Sequence, residues 1–301
     1  MEKMSMHERQ EQFVKQDDHV IESNLWKRFW HDFCKRKINL LGLFIVVVYI
    51  ILAIFAEKIA PYDPIEMDLS KMLATPSAEH IMGCDELGRD IFSRVLYGAT
   101  ISIKVGFLAI AVGFAIGAPL GIISGYMGKT VDMLIMRAMD ILMSFPGMLL
   151  AIMFVSVLGQ DLNNAIIAVG IATVPNFARL ARGETLAIKN SEYIEAARAL
   201  GATDFRIVFN HVFNNVISPL IIMCATSFGN AIITTAGLGF LGIGAQPPTP
   251  EWGAMLSNGR QFIMLASHIT TMPGLAMFGL VLGLNLLGDG IRDVLDPKLR
   301  D

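Results

Sequence analysis

Charge is what this 301-residue sequence has least of. Only 17% of its residues are Asp, Glu, Lys or Arg, 53% are hydrophobic, and the mean hydropathy is +0.54. Soluble domains carry about 25% charged residues, so this balance excludes an ordinary water-soluble enzyme. A net charge of −3 is too small to argue for a nucleic-acid partner. Cysteine is also sparse. Cys34, Cys84 and Cys224 are scattered and odd in number, which leaves neither a disulfide framework nor a paired metal motif. A nucleotide site is missing as well, although "GIISGYMGKTVD" contains Gly128-Lys129-Thr130. A phosphate-binding loop needs a glycine five residues before Gly128, where Ile123 stands. The apolar run ahead of it is far too long for the strand that leads into such a loop.

Long apolar runs, by contrast, are plentiful. A bilayer span needs roughly 20 apolar residues, and six stretches qualify: Asn39–Ala56, Ala99–Gly125, Leu134–Leu158, Leu162–Leu180, Val216–Leu238 and Ile269–Gly288. The fold class read from them is an all-α integral membrane protein with six transmembrane helices. The first run follows 38 mostly polar residues and reads as an anchor, not a cleavable signal. The expected organisation is a tail with an interfacial helix (1–38), a first span (39–58), an external loop (59–98) and a five-span core (99–301). Placing the N-terminus in the cytoplasm puts 18 of the 24 Lys and Arg residues inside, eight of them in the tail. Both termini are then cytoplasmic by the positive-inside rule. Trp26 and Trp30, in "WKRFWHDFCKRK", suit an interfacial helix.

Within the second run, Ala109, Gly113, Gly117, Gly121 and Gly125 recur every fourth residue. Such a face lets another helix approach closely, within the chain in preference to across a dimer. Pro119, in the same run, predicts a kink. Arg137 and Asp140, three apart, are expected to offset each other's charge. No Asp, Glu or His relay crosses the midplane, which argues against a proton-driven transporter. An intramembrane serine protease lacks its base, since Ser124 and Ser227 have no histidine within a span to face. In the outer segment "DELGRDIFSRVLYG" suits an amphipathic helix on the outer face. There Gly88, Arg89 and Asp90 either contact a protein partner or cap and orient that helix.

The most informative stretch is the polar one between the fourth and fifth spans, "ARGETLAIKNSEYIEAARALGATDFRIVFNHVFNNVISP", about residues 183–214. Tyr193, Ala196, Ala197 and Leu200 follow helical spacing, and Gly201 stands where a helix C-cap belongs. Thr203 or Asp204 begins a second helix with Phe205, Val208, Phe209 and Val212 on its apolar side. Glu192 and Glu195 place charge at the rim of the first helix.

"EAARALG" resembles the EAA loop of ATP-binding-cassette importer permeases, on Glu195, Ala196, Ala197 and Gly201. The following "HVFN" departs from the His-Ile-Leu-Pro usual there. "GCDELGRDIFSRVLYGATISI", with Cys84 where threonine is usual, "LGFLGIGAQPPTPEWGAML" and "LLGDGIRDVLDPKLR" are similar to the dipeptide, oligopeptide, glutathione and nickel branch, C-type subunit. The likeness runs from Lys37 to Arg300. It implies a type I, MetI-like permease core that pairs with a second homologous permease, two cytoplasmic ATPases and an external substrate-binding protein in the bilayer. ATP and magnesium would sit on the ATPases, leaving this chain with no cofactor, metal or catalytic residues. Glu192, Tyr193, Glu195, Ala196, Ala197, Leu200 and Gly201 would couple it to them. Peptides are the cargo it suggests first, with glutathione, nickel or a metal chelate as alternatives, and an ion-coupled secondary transporter as the rival class.

Overall fold

The computed structural model describes Lys27 and residues 29–295. Trp26, Lys298 and Arg300 lie outside the described residues. Residues 29–35 form a short helix, α1, in which Phe29, Trp30 and Phe33 pack ring against ring, with Phe33 buried and Trp30 exposed.

Among the described residues the regular elements are helical, apart from one isolated bridge between Cys84 and Asp90. Helix α2 (Lys37–Ile54) is apolar on every side, as a helix facing lipid should be. A turn, α3 (Ala56–Ile59), follows. Helix α4 (Ile91–Met127) is the longest single α-helix among the described residues, at 37 residues. Next come α5 (Lys129–Met143), α6 (Gly147–Leu158) and α7 (Leu162–Lys189). Helix α8 (Glu192–Ala199) is a short excursion, after which α9 (Asp204–Ile207) leads through a π turn (Val208–Val212) into α10 (Phe213–Phe240). Helix α11 (Trp252–Gly259) lies between spans, and α12 (His268–Leu295) completes the bundle. Five helices are long and apolar enough to cross a bilayer, and the count is six if α5 and α6, bent at 93° to each other, are taken as one broken span.

Four expectations are corrected. The third apolar run, read as one span over Leu134–Leu158, is bent by 93°. Pro146 donates no amide hydrogen and disfavours helix at Phe145, so α5 closes with the Ser144 amide on the Asp140 carbonyl and α6 starts afresh. The stretch expected as a loop to residue 98 gives way to helix α4 at Ile91. The run read as a surface helix divides into turns over 85–90 and the buried first turns of α4. Asp140 does not pair with Arg137; it accepts from Arg179 on α7 at 2.8 Å. Helix α4 runs unbroken through Pro119.

Small residues set how closely the bundle packs. A Cβ built on Gly121 would lie 2.2 Å from the Ala178 carbonyl oxygen, and one on Gly117 2.6 Å from that of Val174. Gly113 and Gly125 meet Thr173 and Thr185 in the same way. The glycine face is thus filled from within the chain, by α7. Gly42 on α2 and Gly283 on α12 are equally tight, against Leu286 and Ile45. Close backbone approach supplies the dispersion contact that lipid cannot outcompete.

Candidate functional site

The helical excursion between α7 and α10 is built by local capping. Glu192 and Glu195 lie in the first turn of α8 and Arg198 in its last, each sign matched to the helix dipole. Beyond Leu200, Gly201 adopts φ +87°. Its amide bonds the Arg198 carbonyl and the Ala202 amide reaches that of Ala197, both at 3.0 Å. These two bonds make a Schellman motif, whose left-handed residue favours glycine. Thr203 then caps α9, its hydroxyl accepting from the Arg206 amide at 3.4 Å.

Two isoleucines that the sequence reading passed over hold the excursion down. Ile194 is the one buried residue of α8 and Ile207 the one buried residue of α9, both fully enclosed. They join a core that includes Ile122 of α4, Ala181 of α7 and Val216 of α10. The helically spaced residues lie on the other faces: Tyr193, Ala196 and Leu200 are exposed and Ala197 half-buried. Alanines offer little apolar area, so the larger Ile194 decides which face is covered. The apolar side read after Thr203 is split as well. Val212 is buried, whereas Phe205 is 72% and Phe209 55% exposed, with ring centroids 4.5 Å apart. The π turn takes up an extra residue and offsets the faces before and after it by about 100°.

The result is a platform with a charged and apolar outer surface. Among the described residues the Glu192 and Glu195 carboxylates make no hydrogen bond or ion pair, while Leu200 is 89% exposed. Tyr193 is fixed from behind, its hydroxyl accepting from the Asn215 amide at 3.2 Å and its ring set edge-on to His211. Arg182 of α7 grips the Asp132 carboxylate of α5 with two N–H groups, and the Ser124 hydroxyl of α4 donates to the same carboxylate. That knot ties three helices at the α8 end of the bundle.

At the opposite end, Arg89 and Asp90 are 2% and 3% exposed. Arg89 donates to Asp85 at 2.7 Å and Glu86 at 3.1 Å. Asp90 caps α4, accepting from the Ser93 amide at 2.7 Å, and its other oxygen lies 2.9 Å from the His80 ring. Gly88, at φ +74°, passes so close to the Asp68 carbonyl that a Cβ would lie 1.8 Å away. Asp90 thus fastens this segment to α4, while Gly88 and Arg89 fold the segment on itself. Arg94 adds a bond to the Pro64 carbonyl at 2.7 Å. Trp252, fully buried, donates to the Val95 carbonyl at 3.1 Å, and Glu251 caps α11 through both carboxylate oxygens. Burial pushes the Glu251 carboxyl up, against the pull of the Gly253 and Ala254 amides. Among the described residues no group of three or more His, Cys, Asp and Glu side chains could hold a metal ion.

Residues 117–301 match the family described as binding-protein-dependent transport system inner membrane component, and residues 24–76 match the N-terminal TM domain of oligopeptide transport permease C. The chain is 44% identical over 284 residues to the dipeptide transport system permease protein DppC of Alkalihalophilus pseudofirmus, covering 94% of this chain and 93% of that one. It is 48% identical over 276 residues to the glutathione transport system permease protein GsiD of Escherichia coli O157:H7, covering 91% of each. The inward-facing MetNI methionine ABC transporter superposes with a TM-score of 0.55 at 21% identity, over 68% of this chain and 97% of that one. That likeness shows the fold, a MetI-like core.

Proposed function

Because the chain belongs to the family of binding-protein-dependent transport system inner membrane components, we propose that it is one of two permease subunits of an ATP-driven importer of short peptides. A dipeptide permease and a glutathione permease, both similar over more than nine-tenths of the chain, support that substrate class, glutathione being itself a short peptide. Nickel or a metal chelate would use the same machinery with a different binding protein.

The observation that carries the mechanism is α8. It is a short, capped helix anchored from behind by Ile194, with Glu195 and Leu200 facing solvent. A helix so presented suits a groove on a cytoplasmic ATPase, with Ala196 and Ala197 keeping it slim and Glu195 bonding at the rim. ATP and magnesium bind the two ATPases, whose closure moves the α8 helices of both permeases and turns the pathway between them outward. This chain hydrolyses nothing. The α8 end and both termini face the cytoplasm, in line with the Lys and Arg count. The outer segment, locked by Arg89 and Asp90, faces the external binding protein.

The test is Glu195→Ala in the assembled complex. It inserts normally and lowers ATP hydrolysis stimulated by the loaded binding protein. An unaltered stimulated rate removes Glu195 from the docking role. Binding of dialanine, glutathione and Ni2+ to the partner binding protein, measured by calorimetry, separates the cargo readings.

A further inference from the structure

Groups from three separate parts of the chain converge on a residue outside the coupling motif. Tyr126 closes the last turn of α4 and is half-buried. Its hydroxyl donates to the carboxylate of Asp204, the first residue of α9, and accepts from Nη2 of Arg198, in the last turn of α8, at 3.2 Å. Arg198 and Asp204 stand 3.9 Å apart, beyond hydrogen-bond reach, so the hydroxyl is the group that joins them. Lys189, at the end of α7, donates to the Tyr126 carbonyl and holds its ammonium 5.6 Å above the ring. These residues line one cleft of about 630 Å3.

What this joint does follows from where the other restraints on α8 lead: the Tyr193 hydroxyl ties it to Asn215 of α10, not to α4. Ile194 is its one buried side chain, and an apolar anchor resists withdrawal without fixing rotation. Hydrogen bonds are directional, so the Tyr126 hydroxyl sets the orientation of the α8–α9 corner relative to α4. Helix α4 in turn reaches across the molecule. Its glycines lie against α7, Asp90 caps its far end, and Arg94 near that end binds the Pro64 carbonyl of the outer segment. A corner fixed to Tyr126 is fixed to a rod about 55 Å long.

We propose that Tyr126 is a positioning residue that fastens the α8–α9 corner to α4, so that displacement of α8 by a bound ATPase moves the membrane core as one piece. The inference rests on the importer reading above. Without the hydroxyl, α8 still docks and the ATPases still turn over, while the α8–α9 corner, held by Ile194, Ile207 and the Tyr193–Asn215 bond, turns relative to α4 and α4 follows less.

The test is Tyr126→Phe in the full complex of two permeases and two ATPases in proteoliposomes, with the external binding protein added. The substitution keeps the ring and the carbonyl that Lys189 binds. The readouts are basal ATP hydrolysis, hydrolysis stimulated by the binding protein, and uptake of radiolabelled dialanine and glutathione. Basal hydrolysis stays within about twofold of wild type while uptake per ATP falls about three- to tenfold, the range set by one lost hydrogen bond. Asp204→Ala gives the same fall in that ratio, and the double variant falls no further, because both remove one joint. A general structural role lowers hydrolysis and uptake together and leaves their ratio unchanged. That result, or fully additive losses, overturns the proposal. If the wild-type assembly fails to hydrolyse ATP or to take up either probe, the importer reading falls first and this inference with it.

Discussion

Replacing Gly121 by alanine measures how much of the bundle depends on contact between α4 and α7. The added Cβ would lie 2.2 Å from the Ala178 carbonyl oxygen and 2.7 Å from the Ala181 Cβ. Carbon and oxygen are comfortable at about 3.3 Å, so the two helices must separate locally by about 1 Å. The obstacle is backbone, which cannot rotate away, and overpacking costs about 3 kcal/mol, the upper part of its usual range. Alanine returns about 1 kcal/mol in helix propensity, for a net loss of about 2 kcal/mol. Gly183, on the same α7, has nothing within 4 Å of its built Cβ, so Gly183→Ala keeps the propensity gain alone. The pair therefore differs by about 3 kcal/mol. At about 2 °C per kcal/mol for a chain of this size, Gly121→Ala melts about 6 °C below Gly183→Ala in the same mild detergent, followed by tryptophan fluorescence. Equal melting temperatures would show that the close approach contributes nothing and refute the packing argument.

Three further outcomes follow from local geometry. Because burial raises the Glu251 carboxyl, the folded chain holds that proton more tightly than the unfolded chain. Its contribution to stability is complete below the ordinary value of 4.5 and is lost as pH rises through the raised one. Wild type should lose melting temperature across that window relative to Glu251→Gln, and parallel profiles sink the assignment. Gly201→Ala forces a side chain into the left-handed region, costing about 1 kcal/mol, so trypsin cleaves after Arg198 about fivefold faster; an unchanged rate would mean that the Schellman turn is dispensable. In Cys224→Ser vesicles, a membrane-impermeant maleimide labels exposed Cys34 only when the cytoplasmic face is outward. Cys84, enclosed and with its thiol pushed up to about 11 by burial and the neighbouring Asp90, stays unlabelled from either side. Labelling of Cys34 in right-side-out vesicles would reverse the orientation.

The features legible in the sequence were those that repeat or cap. Apolar run length located the spans but not their ends, since helices such as Ile91–Met127 and Leu162–Lys189 run eight or nine residues beyond the apolar stretch. Gly201 announced a helix end, and the four-residue glycine period announced a close helix contact without naming α7 as its partner. Pro146 was visible, yet composition alone made Leu134–Leu158 one span, since hydropathy averages over a bend. Direction of facing was the harder matter. The Tyr193–Leu200 stripe has correct helical spacing, but only the core around Ile122 and Ala181 decides that Ile194 points in. The joints between distant segments, Asp132 with Arg182 and Tyr126 with Asp204, have no local pattern, because partners 50 and 78 residues apart meet only once the bundle is assembled.

The exposed residues around α8 also bear on the fate of a chain made in excess. Leu200, Phe205 and Phe209 stand open to water, and an apolar patch at a membrane surface attracts whatever binds unfolded protein. On the proposed docking, an ATPase would cover that patch and end the attraction. If α8 docks on an ATPase as proposed, the same patch separates unpartnered copies, which leave it open, from assembled ones, which cover it.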